Sequence, residues 1–221
     1  NNNLRGNYIL MNDIDLSGKE WTPIGAPWSY LNGHFDGNGH KITGMTINYA
    51  NYQYSALFCG INSKAIIYNL HLVNPAVNNT YTSSFGNAGI VGVNNGYISN
   101  CSITGGTISS VRAGSGGYIG GIAALNNSAG GIIHCRVSGT TFSQPGTFST
   151  AGGIAGTNQC GWIIASYTNG CTITNTAYQG GIVGYSTSGN SNVFGCYAVA
   201  PTITNTGAYA GLIVGFNGSG A

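Results

Sequence analysis

Ala88-Gly89-Ile90-Val91-Gly92 returns down the chain as Gly120-Gly121-Ile122-Ala123, as Gly152-Gly153-Ile154-Ala155-Gly156, as Gly180-Gly181-Ile182-Val183-Gly184 and as Ala210-Gly211-Leu212-Ile213-Val214-Gly215. These copies start 32, 32, 28 and 30 residues apart, and Ser55-Ala56-Leu57-Phe58-Cys59-Gly60 is a looser earlier copy. Self-similarity at a fixed period is the mark of a repeat architecture. A second register agrees with the first. It is set by Leu70, Cys101, Cys135, Ser166 and Cys196. Three residues earlier stand Ile67, Ile98, Ile132, Ile163 and Val193; seven later stand Val77, Ile108, Phe142, Ile173 and Ile203.

The local pattern is that of strands. Thr107-Ile108-Ser109, Thr141-Phe142-Ser143, Thr172-Ile173-Thr174 and Thr202-Ile203-Thr204 alternate polar and apolar residues, the period of a half-buried strand. Gly, Asn and Ser punctuate at short intervals, and helical spacing is absent. Short strands at a period of about 30 residues predict an all-β chain, a right-handed parallel β-helix in which equivalent residues of stacked coils form ladders. A β-propeller is the rival, but its blades need four antiparallel strands of regular length, which these blocks do not supply. Residues 1–54 read as a lead-in with the first coils, and residues 55–221 as the repeats of the same domain.

Composition excludes several classes. Charged residues are 5% of the chain against 42% hydrophobic, with 38 glycines and a net charge of +2. So little charge argues against disorder and against nucleic acid or an anionic membrane as partner. No apolar run reaches the ~18 residues of a membrane span. Asn1 to Asn3 are neither a start methionine nor a signal peptide, so the chain reads as a mature or trimmed, monomeric fragment of a larger protein.

The units from Gly89 to Cys101, of the form G-I-V-G…N-G…I-x-N-C, resemble the GLUG repeat of large bacterial surface and secreted proteins. Leu4-Arg5-Gly6-Asn7-Tyr8-Ile9-Leu10, Asn12-Asp13-Ile14-Asp15-Leu16, Trp21-Thr22-Pro23-Ile24-Gly25 and Phe35-Asp36-Gly37-Asn38-Gly39-His40-Lys41-Ile42 are similar to the lead-in before such repeats. Similar segments occur in bacterial immunoglobulin A protease precursors, outside the protease domain. The resemblance implies a pectate-lyase-like β-helix, a secreted or cell-surface location, a role in adhesion and no catalytic residues. Ala124 departs from the repeat's usual Gly, and Ser166 from its frequent Cys. The chain also stops at Ala221, early in another repeat.

The chemistry available is narrow. The four carboxylates are Asp13, Asp15, Glu20 and Asp36, so the repeats hold no acid–base pair for glycoside hydrolysis and no anionic ligands for calcium. No enzyme activity, cofactor or metal is expected. Asp13-Ile14-Asp15-Leu16-Ser17-Gly18 matches half of a calcium loop, but Ile24 stands where the loop's last Glu belongs. It reads as a strand with Ile14 and Leu16 inward, closed by a Ser-Gly turn. Asp36-Gly37-Asn38-Gly39 reads as a turn. His34, His40, His71 and His134 lack a supporting acid in the repeats. Cys101, Cys135 and Cys196 share one inward position, where parallel side chains suit free thiols. Cys160 and Cys171 fall in one repeat and are the pair to test.

Aromatics carry the binding signal. Tyr54, Phe85, Tyr118, Phe148, Tyr178 and Tyr209 each stand a few residues before a copy of the glycine motif, and Trp21, Trp28, Tyr30, Tyr49 and Tyr52 lie before the repeats. Trp28, Tyr30, Tyr49, Tyr52 and Tyr54 are the candidate site, for a glycan or a host or surface protein. The competing reading is an aromatic ladder over a coil corner with a cap on the helix end. Ice binding by the Thr-x-Thr and Thr-x-Ser face is the alternative function.

Overall fold

The computed structural model describes residues 3–48, 53–80, 85–111, 116–145, 149–174, 176–187, 191–204 and 209–218. It is a parallel β-helix, without helices among the described residues. Each coil crosses five faces. In one coil these are Tyr97–Ser99, Ser102–Thr104, Thr107–Ser110, Tyr118–Gly120 and Ala123–Asn126, after which Gly131–Ile133 returns to the first face. The first and second faces have seven strands and the other three have six. The lead-in forms the outermost coil: Ile24 bridges Phe58 and Leu31 bridges Ile61 in parallel.

Stacking puts equivalent residues in contact. Phe35, Ile67, Ile98, Ile132, Ile163 and Val193 are successive register partners on the first face. Ile47, Val77, Ile108, Phe142, Ile173 and Ile203 are partners on the third. Both ladders expected from the repeat are present, and all their members but Ile203 belong to one core or pack against it. Ile14 aligns with the buried Ile42, yet it is 38% exposed. It takes the inward register as expected, and its exposure comes from its place in the outermost coil.

Between the first and second faces, Leu70, Cys101, Cys135 and Ser166 are buried in one column. The Cys101 thiol donates to Ser99 O and the Cys135 thiol to Ile133 O, at 3.3 and 3.4 Å, and all six cysteines are unbridged. Burial pushes the Cys101 thiol well above its ordinary range, with Cys135 beside it adding to the shift. Cys160 and Cys171, the pair left to test, are unbridged. Two strands separate them, so they sit at different corners; Cys171 donates to Val137 O while Cys160 lies by Thr187 Oγ1.

The corners show why the repeat needs its small residues. At the turn from fourth to fifth face, a Cβ on Gly120, Gly152 or Gly180 would lie 1.8, 2.0 or 1.8 Å from the carbonyl oxygen three residues on. Strand pairing sets Gly211, not Ala210, opposite Gly180. Ala124 is tolerated because Gly86 faces it: a Cβ on Gly86 would meet the Ala124 Cβ at 2.7 Å. The turn between first and second faces is left-handed in five successive coils, carried by Asn69, Asn100, His134, Ala165 and Gly195. Asn74 and Ala200 take the same conformation at the next corner, with φ of 50° and 45°.

Alanine gains nothing from that conformation, which costs an L-residue about 1–2 kcal/mol. Part of this relief is offset by glycine's extra freedom when unfolded. Converting both exposed alanines, Ala165→Gly and Ala200→Gly, is therefore expected to raise the melting temperature by about 2–4 °C. A lower melting temperature in a thermal scan would show that these turns are not strained.

A feature not anticipated is an asparagine ladder inside the corner from fifth to first face. Asn94 Nδ2 donates to Asn126 Oδ1 at 2.7 Å, and Asn126 Nδ2 to Asn158 Oδ1 at 2.8 Å. The ladder ends where Asn158 Nδ2 donates to Gly161 O at 3.0 Å, and all three side chains are fully buried.

The two turn readings agree with the structure. Asp15 accepts from Ser17 N at 2.9 Å before Gly18 at φ 73°. Asp36 accepts from Asn38 N at 2.7 Å, with Asn38 at φ 51°.

Candidate functional site

Two outward columns meet at the corner between the fourth and fifth faces. The fourth-face column is Tyr54, Gly86, Tyr118, Thr150, Tyr178 and Tyr209. The fifth-face column is Gly60, Val93, Leu125, Thr157, Tyr185 and Phe216. The expected single aromatic ladder is corrected in detail. Phe85 falls one residue before the column and Gly86 takes its place, though the Phe85 ring still stacks on Tyr54 at 6.1 Å. Phe148 lies outside the described residues, and Thr150 holds that coil's position.

The outcome is an aromatic stripe with a polar gap. On one side Tyr178 stacks on Tyr209 at 5.3 Å, and Tyr185 on Phe216 at 5.5 Å. Tyr178 and Tyr185 meet edge to face at 5.5 Å across the corner. In the gap, Thr150 Oγ1 and Thr157 Oγ1 are 3.0 Å apart. A cleft of about 440 Å³ opens there, walled by Tyr118, Tyr178 and Tyr185, floored by the two threonines and rimmed by Gln159 and Thr187. Ring faces can stack on the C–H face of a sugar while hydroxyls and an amide hydrogen-bond its hydroxyls. No carboxylate and no basic side chain lines the cleft, so it suits an uncharged ligand.

Of the residues expected to form the site, Tyr30 and Tyr54 lie at the far end of this same corner. The Tyr30 ring covers Gly60, where a Cβ would come within 2.6 Å of its Cδ1, and a Cβ on Gly92 would meet the Tyr54 Cβ and the Cys59 carbonyl oxygen at 2.5 Å. Burial first, then neighbouring Tyr30 and Tyr118, hold the Tyr54 hydroxyl well above its ordinary pKa. Trp28 is 87% exposed at the turn Ala26–Ser29, with φ 67°. A bulky residue at positive φ is a strained outlier. Tyr49 and Tyr52 lie outside the described residues. Thr150, Thr157, Gln159 and Tyr185 were missed. A signal existed for Tyr185: Gly184-Tyr185 and Gly215-Phe216 place a ring directly after the motif glycine.

No group of three or more metal-ligating side chains occurs among the described residues. Asp13, the carboxylate nearest a histidine, accepts from the Lys41 backbone and pairs with His40 at 3.1 Å. These contacts hold its pKa below the usual carboxylate value.

No family model matches the chain. The chain is 33% identical over 102 residues to a protein of Evansella cellulosilytica named "Putative Gly-rich membrane protein", a match covering 43% of this chain and 12% of that protein. Among solved structures it is similar to a "putative immunoglobulin A1 protease" from Bacteroides ovatus, with a TM-score of 0.56 and 20% identity. That match covers 97% of this chain and 77% of the other. At that identity the likeness is one of fold. Among the described residues, no helix is long and apolar enough to cross a membrane.

Proposed function

We propose that this chain is a non-catalytic segment of a bacterial surface or secreted protein, an adhesin or stalk, that binds a neutral glycan at the Tyr118–Tyr178–Tyr185 cleft. The observation that carries this reading is the break in the fourth-face aromatic column, where Thr150, paired with Thr157, stands between Tyr118 and Tyr178. An unbroken ladder would serve only to cover a corner. Similarity to a bacterial protein named for a membrane supports the location. The confinement of carboxylates to Asp13, Asp15, Glu20 and Asp36 supports binding without hydrolysis, because an acid–base pair is missing beside the cleft.

The test is a neutral-oligosaccharide array followed by titration of the best ligand. Gln159→Ala at the rim and Tyr185→Leu in the wall are each expected to weaken binding about tenfold, or about 1.4 kcal/mol. Gln159 is exposed, so its truncation should leave the melting temperature unchanged. Unaltered affinity in both variants would refute the site.

Ice binding is kept as a second reading because the third face aligns Thr107, Thr141, Thr172 and Thr202, and beside them Ser109, Ser143, Thr174 and Thr204. Against it, Ser109 donates to Asn78 Oδ1 and Thr174 to Phe142 O, which turns those hydroxyls toward the protein. Thermal hysteresis above that of a Thr141→Tyr control would favour it.

A further inference from the structure

Around the helix from the glycan cleft, the second face carries three basic side chains, Lys41, His71 and Arg136. Lys41, His71, Ser102, Arg136, Tyr167 and Tyr197 follow one another in register. They stand on the outward side, since Ile42, Leu72, Ile103 and Val137 between them face the core. A polar hollow of about 360 Å³ is lined there by His71, Asn100, Ser102, His134, Arg136 and Tyr167. Arg136 has no ion-pair partner among the described residues, where Asp13 makes the ion pairs. The sequence explains why: no carboxylate follows Asp36. A guanidinium with two imidazoles, a hydroxyl and an amide, and no counter-charge, is the donor set that recognises an oxyanion.

We propose that the hollow at His71, Ser102, His134 and Arg136 binds an oxyanion, a sulfate or carboxylate, independently of the neutral-glycan cleft. Arg136 supplies the charge and the forked donors. His71 Nδ1 lies 2.7 Å from Ser102 Oγ, a contact that ties together two of the side chains lining the hollow. Tyr167 and Tyr197, stacked at 4.9 Å and within 2° of parallel, extend a flat apolar surface beside the charge. That surface suits an anionic group attached to a sugar better than a free ion.

The site is pH-dependent. Burial, and then Arg136, hold the His71 pKa below its ordinary 6.5, so His71 is neutral at neutral pH. The charged groups facing it are Lys41 and Arg136, with His134 at the rim. Asp13, two coils away, is held by His40 and Lys41. An anion favours the imidazolium, so affinity rises as pH falls through the histidine range.

Calorimetric titration of the intact chain at low salt decides the matter, with inorganic sulfate, a sulfated disaccharide and the same disaccharide unsulfated, at pH 5.5 and 8. Sulfate and the sulfated disaccharide are expected to bind, more tightly at pH 5.5, and Arg136→Gln to weaken both at least tenfold. Tighter binding of the sulfated disaccharide than of sulfate identifies the attached anion as the source, and equal binding identifies the free ion. Arg136 is exposed, so the variant should fold, and an unchanged melting temperature verifies this. Absence of anion binding at both pH values, equal binding of the unsulfated sugar, or binding indifferent to Arg136→Gln would each overturn the proposal. Tyr185→Leu should not affect it, which separates this site from the glycan cleft.

Discussion

Ile132→Asp is expected to leave the chain unable to fold cooperatively. Ile132 is fully buried between Ile98 and Ile163 on the first face. Each neighbour is also an apolar member of the core, so a carboxylate there has no donor and no water. Leaving such a charge unpaired costs about 3–5 kcal/mol or more, against a total stability of about 5–15 kcal/mol for a domain. Because each coil rests on the next, the damage spreads along the stack. Circular dichroism should show loss of the β signal or a poorly cooperative melt, while Ile132→Val should lose only about 1 kcal/mol. A cooperative melt for Ile132→Asp near that of the parent would contradict the buried ladder.

The second large effect is expected at Asn126. It accepts from Asn94 and donates to Asn158. Truncating it to Ala leaves Asn94 Nδ2 with only a 3.5 Å contact to Gly131 O, and Asn158 Oδ1 without its donor. Two unmet buried groups and a small cavity cost about 2–4 kcal/mol. In a chain of this size that corresponds to a fall in melting temperature of about 5–15 °C. Asn127, half-buried outside this ladder with one bond to Asn95, is the control, and Asn127→Ala should cost less than half as much. Equal losses at the two positions would show that the inner ladder has no special weight.

The fold was legible because stacking makes the same demand at the same position in every coil. Ile98, Ile132 and Ile163 repeat for that reason, and so do the motif glycines, where a side chain would strike a carbonyl oxygen. The asparagine ladder obeys the same rule: Asn94, Asn126 and Asn158 recur at the spacing of the glycine motif. It escaped notice because buried asparagines read as turn residues when their partners are unseen. The candidate cleft was harder to read, since it is made by departures from the repeat. Thr150 stands where both neighbouring coils carry rings, Thr157 stands between Leu125 and Tyr185, and Gly86 displaces Phe85 by a single residue. Strand periodicity turns such a one-residue shift into a change of face. Tyr30 and Tyr54 could be picked out as aromatic, but only the register shows that they share a corner with Tyr178 and Tyr185. The oxyanion hollow draws His71, Arg136 and Tyr167 from three coils; each follows a residue of the Leu70–Cys101–Cys135–Ser166 register, so spacing aligns them, but their outward direction is fixed only by the strands.

The most direct test of the account is a chemical-shift map of the isotopically labelled chain titrated with the neutral oligosaccharide selected on the array. Saturable shifts are expected at Tyr118, Thr150, Thr157, Gln159, Tyr178 and Tyr185, with the second face undisturbed. Shifts that fail to saturate, or that saturate on another face while this corner stays unchanged, would contradict the claim that the interrupted aromatic stripe is the binding site.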